Sequence, residues 1–89
     1  MKIQTFFKNF DHTDGLDQII AKKSEKLTRW LSQDASVQWR CWVESDEQIC
    51  SIEAHDHGKN FFVKAASGDL YKSIDQALEK MSNQFHHAH

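Results

Sequence analysis

The chain contains no proline, three glycines and two cysteines in 89 residues, and its formal net charge is only −2. The lack of proline and scarcity of glycine exclude collagen-like, low-complexity and linker-type sequence. Two cysteines, Cys41 and Cys50, are too few for a disulfide scaffold and fit no CxxC or zinc spacing, so they read as reduced thiols. No apolar run approaches the length of a membrane span, which predicts no membrane partner. Lys8 and Asp11 interrupt the opening MKIQTFFKNFDHTD where a signal peptide would need an apolar core, so a cytoplasmic location is expected. With 39% hydrophobic and 27% charged residues the composition is globular, and the length predicts one domain over 1–89, ending in a His-rich, irregular tail at 86–89.

The hydrophobic pattern alternates between two periods. KIQTFFK (2–8) reads as a strand with Ile3, Thr5 and Phe7 on one face. Thr13 is a good N-cap for a helix over about 14–31, in which Leu16, Ile20, Leu27 and Leu31 fall within about 60° of one another at roughly 100° per residue. VQWRCWVE (37–44) and QICSIEAH (48–55) alternate with period two and lie close enough to form a hairpin. DHGKN is a turn in which Gly58 supplies a positive φ, and Phe61, Val63 and Ala65 then alternate with Phe62, Lys64 and Ala66. A last helix over about 69–85, capped by Ser67 or Asp69, presents Leu70, Tyr71, Ile74, Ala77, Leu78, Met81 and Phe85 in one stripe. The order β-α-β-β-β-α predicts an α+β fold, with two helices side by side on one face of a four-stranded sheet. The other sheet face would carry Phe6, Arg40, Trp42, Glu53, Phe62 and Lys64, an aromatic set for a solvated surface.

Four of the eleven basic residues sit in KKSEKLTRW (22–30). Lys22, Lys26 and Arg29 form a stripe directed away from the leucines, with Lys23 beside it. In the last helix Lys72 and Lys80 oppose Leu78, with His87 nearby. Helices lying side by side would join these into one basic surface, edged by Glu25, Asp75 and Glu79. Outer helix faces are commonly charged, so the pattern alone leaves a solvated face and a phosphate-binding face both open. His55 and His57, two apart, would share a strand face, and His86, His87 and His89 cluster at the end; neither spacing amounts to a metal site, and none is expected. No nucleophile–base arrangement or carboxylate pair suggests an enzyme, and no cofactor is implied.

The Thr13–Leu16 T-x-x-L, the KKSEKLTRW run, the Gly58 turn and DLYKSID (69–75) together resemble the short ribosome hibernation-promoting factors, also called ribosome-associated inhibitors or sigma-54 modulation proteins. The resemblance runs from Met1 to about Phe85 and implies the same β-α-β-β-β-α fold. It also implies a non-catalytic factor that binds ribosomal RNA of the small ribosomal subunit near the decoding centre. There it would block mRNA and tRNA sites during stress or stationary phase. Its implied RNA-binding residues are Lys22, Lys23, Lys26, Arg29 and Lys80, to which the helix pattern adds Lys72 and His87. Asp69 and Tyr71 match a helix-opening motif with a structural role. The chain departs from the family at Asp17, where some members have arginine, at Asn83, where arginine is common, at Ser24, where a core leucine is frequent, and in its histidine-rich end. Those departures keep a second reading alive: an interaction module of the same fold with weak or lost ribosome binding. For the aromatic sheet face, an RNA-stacking platform and a self-association surface are both open. Because the family binds RNA through its helices, partial burial or a weak homodimer is preferred there.

Overall fold

The computed structural model of the chain describes residues 1–9 and 14–87, the side chains of Asp14 and His87 excepted. Its elements are β1 (Lys2–Lys8), α1 (Asp14–Ser24), a 3-10 segment (Glu25–Arg29), β2 (Ser36–Glu44), β3 (Glu47–Asp56), β4 (Lys59–Ser67) and α2 (Leu70–His87). The sheet order is β1-β2-β3-β4. β1 pairs parallel with β2 through the α1 crossover, and the remaining pairs are antiparallel hairpins. This is the expected α+β architecture. The expected Thr13 cap lies outside the described residues.

The core forms where the period-two and period-3.6 faces meet. Val37, Trp39, Cys41, Cys50, Ile52, Ala54, Val63 and Ala65 from the sheet pack against Ile20, Leu27 and Leu31 and against Leu70, Ile74, Ala77, Met81 and Phe85. Burying a side chain the size of Ile74 or Leu27 contributes roughly 1.5–3 kcal/mol. Two buried polar groups are satisfied inside this core. Trp39 Nε1 donates to Ser24 Oγ at 2.8 Å, and Ser73 Oγ donates to Gln48 O at 2.6 Å. Ser24 thus stands in the apolar layer as the acceptor that a buried indole N–H requires. Cys41 and Cys50 face each other across β2 and β3, with sulfurs 3.2 Å apart, and both are free thiols. Hydrogen bonding to Cys41 and burial push the Cys50 thiol up, so it keeps its proton.

The first helix does not run unbroken to residue 31. It is α-helical to Ser24 and then tightens. Within the 3-10 segment Thr28 Oγ1 donates to the carbonyl of Glu25 at 2.7 Å, and the N–H groups of Trp30 and Leu31 converge on Leu27 O at 3.1 and 3.0 Å. A side chain bonding its own helix's carbonyls competes with the regular ladder. Tightening to three residues per turn aligns Lys26 with Arg29.

Tyr71 also departs from its expected place in the core: it is 53% exposed. Taking Leu70, Ile74, Ala77 and Met81 as the centre of the buried stripe, Tyr71 falls roughly 90° to one side. Leu78 lies on the same flank but is buried, sharing a groove with Lys23 and Trp30. The cap of α2 is Asp69, whose Oδ1 accepts from Tyr71 N at 3.0 Å.

The expected sharing of a strand face by His55 and His57 is not observed. β3 ends at Asp56, and His57 and Gly58 form the two-residue turn with φ of 50° and 80°. Consecutive positive φ values are those of a type I′ hairpin turn, which rotates His57 out of the strand's alternation. His55 instead bonds Asn60 and Glu53, contacts that raise its pKa, with Asn60 the larger influence. No group of three metal-ligating side chains occurs among the described residues.

Candidate nucleic-acid interface

The last turn of α1 and the 3-10 segment run in the same direction as α2, since Lys23 meets Asp75 in the first half of α2 and Trp30, just past the 3-10 segment, meets Phe85 near the end of α2. Between them lies a groove of about 530 Å³. Lys23, Lys26, Arg29 and Trp30 line one wall; Asp75, Leu78, Glu79, Ser82 and His86 line the other. Trp30 stacks on Phe85 with centroids 5.3 Å apart and planes at 12°, and His86 meets the same indole edge-on at 6.0 Å. Phe61 packs on Phe85 at 4.6 Å, fixing this end of the groove to β4.

The predicted basic residues separate into three groups. Lys22, Lys26 and Arg29 are exposed on the outer face of α1 and the 3-10 segment, around a shallow depression floored by Ile19. None of these three takes part in an ion pair among the described residues. Lys23 is half-buried, and its Nζ lies 2.8 Å from Asp75 Oδ1. Of the two lysines on α2, Lys80 does not extend the surface of the first helix. Lys80 turns to the far side of α2, where Nζ donates to Lys64 O at 2.7 Å. Gln84 Nε2 donates to Phe62 O at 2.8 Å beside it, so α2 covers the free edge of β4. Lys72 is exposed one turn before Asp75. The side chain of His87 lies outside the described residues, although α2 continues to that position.

Asp75 and Glu79, expected at the margin of a basic surface, stand inside the groove as its acidic wall. Positive charge instead continues around the end of the 3-10 segment. Arg29 and Trp30 share a cleft of about 380 Å³ with His57, Lys59 and Phe61 at the β3–β4 turn. The loop holding this cleft is pinned: Ser32 N and Oγ both donate to Asp56, at 2.9 and 2.6 Å. Those two bonds hold the Asp56 carboxyl below its ordinary pKa. Asp17 accepts from Thr5 Oγ1 at 2.9 Å and ties α1 to β1.

The profile of the family described as sigma 54 modulation protein / S30EA ribosomal protein matches residues 3–89. The chain belongs to this family. A ribosome hibernation promoting factor from Azotobacter vinelandii is 27% identical over 84 residues, covering 94% of this chain and 78% of that protein. The N-terminal domain of Thermus thermophilus Protein Y superposes with a TM-score of 0.88 at 21% identity, covering all of both chains. A ribosomal subunit interface protein from Coxiella burnetii gives 0.86 at 20%, covering 99% of this chain and 97% of that one. These two likenesses establish the fold, and the family match bears out the resemblance carried by KKSEKLTRW and DLYKSID. Within this S30EA fold, the cleft between Arg29 and Lys59 was not anticipated from the sequence. Lys59 lies thirty residues from Arg29, and the Ser32–Asp56 link and the Trp30–Phe85–Phe61 packing bring the two segments together. Trp30 did carry a signal, as the aromatic that closes the basic run.

Proposed function

We propose that this S30EA family member is a non-catalytic factor that binds the small ribosomal subunit near the decoding centre and keeps mRNA and tRNA from their sites. Lys22, Lys26 and Arg29 would meet ribosomal RNA phosphates, and Lys59 and His57 would extend the track past Trp30. The observation that carries this reading is the outer face of α1 and its 3-10 extension. In a chain of net charge −2 it presents three exposed cations with no ion-pair partner among the described residues. Local charge of one sign, rather than net charge, sets the attraction of a polyanion. Lys23 joins only by exchanging Asp75 for phosphate, and Lys80 only by leaving the β4 edge.

The test is co-sedimentation of the intact chain with purified small subunits on gradients at two salt concentrations. Binding that weakens at higher salt, with a slope of about −2 to −3 in log K against log salt for three phosphate contacts, supports the reading. No co-sedimentation at low salt overturns it. The acidic wall formed by Asp75 and Glu79 favours a second reading, an interaction module of the same fold with little ribosome affinity, which that negative result would support.

A further inference from the structure

Among the described residues no element packs over the sheet face opposite the helices, yet it is not a plain solvated surface. Phe6 and Phe62 are 46% and 55% exposed. The Arg40 guanidinium lies over the Phe6 ring at 5.2 Å from its centroid, and Lys64 Nζ lies over the Trp42 ring at 5.5 Å. Pairing places Phe6, Arg40, Ser51 and Lys64 in one row across all four strands, with Lys8 beside Trp42 in the next. The carboxylates of this face stand outside that row. Glu53 is bonded to His55 Nε2 at 3.0 Å, and Glu44 accepts from Trp42 Nε1 at 3.4 Å beside Glu47 at the hairpin end.

We propose that this face is a second nucleic-acid site, binding single-stranded RNA by stacking bases on Phe62, Phe6 and Trp42 and pairing phosphates with Lys8, Arg40 and Lys64. Aromatic rings interleaved with cations are what a splayed single strand requires, because every base offers a π-face and the backbone demands positive charge. Arg40 and Lys64 are already held beside the rings, so cations and stacking surfaces are ordered together before a strand arrives. Phe6 and Trp42 are one strand apart and two residues along, about 8 Å, a step that neighbouring unstacked bases can span. A second copy of the chain fits less well. It would bring the cations of this row, Arg40 and Lys64, close to their like-charged counterparts. A single strand needs only a narrow track. This site is independent of the helix-face reading.

The test is fluorescence anisotropy of a labelled eight-nucleotide oligouridylate with the intact chain and three double variants. Phe6→Ala with Phe62→Ala should weaken binding about tenfold or more. Arg40→Gln with Lys64→Gln should weaken it and flatten the salt slope by about 1.4, at roughly 0.7 per phosphate on a single strand. Lys26→Glu with Arg29→Glu should change it less than threefold. Native circular dichroism verifies each fold; should the double alanine variant unfold, the Arg40/Lys64 pair decides alone. Absence of saturable binding to the intact chain overturns the proposal. So does loss of binding only in the Lys26/Arg29 variant, or a dimer in sedimentation that the face substitutions dissolve while oligouridylate fails to bind.

Discussion

The two helices occupy one layer and cover one sheet, yet they meet solvent differently. The outer face of α1 and its 3-10 extension carries Lys22, Lys26 and Arg29 with no ion-pair partner among the described residues. α2 spends its polar side chains on neighbours: Asp75 on Lys23, Lys80 and Gln84 on the open edge of β4, Ser73 on the β3 carbonyl of Gln48. A helix over an edge strand has unsatisfied carbonyls within reach, and its long polar side chains settle there. β1, beneath α1, is also an edge strand, but the α1 side chain bonded to it is Asp17, through Thr5 Oγ1, and the cations of α1 are left to solvent or to a ligand. Basic residues on an exposed helix face therefore are not equivalent. What lies beneath the helix decides which of them remain available.

The largest effect that would break this comparison is in the core of α2. Ile74 is fully buried and Tyr71 is 53% exposed. Ile74→Ala should cost roughly 2–5 kcal/mol, while Tyr71→Ala should stay within about 0.5 kcal/mol, both measured by urea unfolding. Equal costs would mean that α2 is rotated from the orientation described, and with it Lys80 and the acidic wall of the groove.

Next comes the charge contrast itself. Lys26→Glu with Arg29→Glu should weaken small-subunit binding about 10- to 100-fold and flatten its salt slope by about two, one unit for each phosphate no longer neutralised. Lys72→Glu with Lys80→Glu should weaken it only a few fold. If the α2 pair proves the more damaging in co-sedimentation, the division between the helices fails.

A third expectation concerns how α1 is held. Ser24→Ala leaves the Trp39 indole N–H buried without its acceptor and should cost about 1–3 kcal/mol. In a Trp39→Phe background the same substitution should cost much less, so a double-mutant cycle in urea reads the bond directly. Additivity across the cycle would show that the two side chains do not interact.

The smallest effect sharpens the comparison at the groove. The Lys23–Asp75 pair is partly exposed, with side chains 37% and 58% accessible, and such pairs contribute about 0–1 kcal/mol. Asp75→Asn should leave stability nearly unchanged and raise small-subunit affinity severalfold, because it frees Lys23 and removes one negative charge from the groove. Unchanged affinity in the same gradients would place the RNA contact wholly on the outer face of α1.

Much of this protein is written in its local pattern. Alternation in VQWRCWVE and QICSIEAH sets which side chains enter the core, because a strand turns each residue over and burial accepts only one face. Leu16, Ile20, Leu27 and Leu31 mark the inner face of the first helical segment, and Lys22, Lys26 and Arg29 mark its outer one, by the same geometric rule. The I′ turn at His57-Gly58 needs a residue free of the Cβ penalty, and the glycine announces it. Tertiary structure decided the rest. The acceptance of Ser24 in the core rests on a buried indole fifteen residues away, and on the flank of α2 it is Leu78, two turns beyond the exposed Tyr71, that meets the groove-lining segment of the first helix. Lys80 looks like a surface cation from its spacing, but an unpaired carbonyl of β4 lies within reach of its ammonium. Arg29 and Lys59 gained a shared cleft through Ser32 and Asp56, residues in loops that no periodicity governs. Periodicity fixes the direction in which a side chain leaves its own element; which partner it meets depends on the element packed alongside, and that information is non-local.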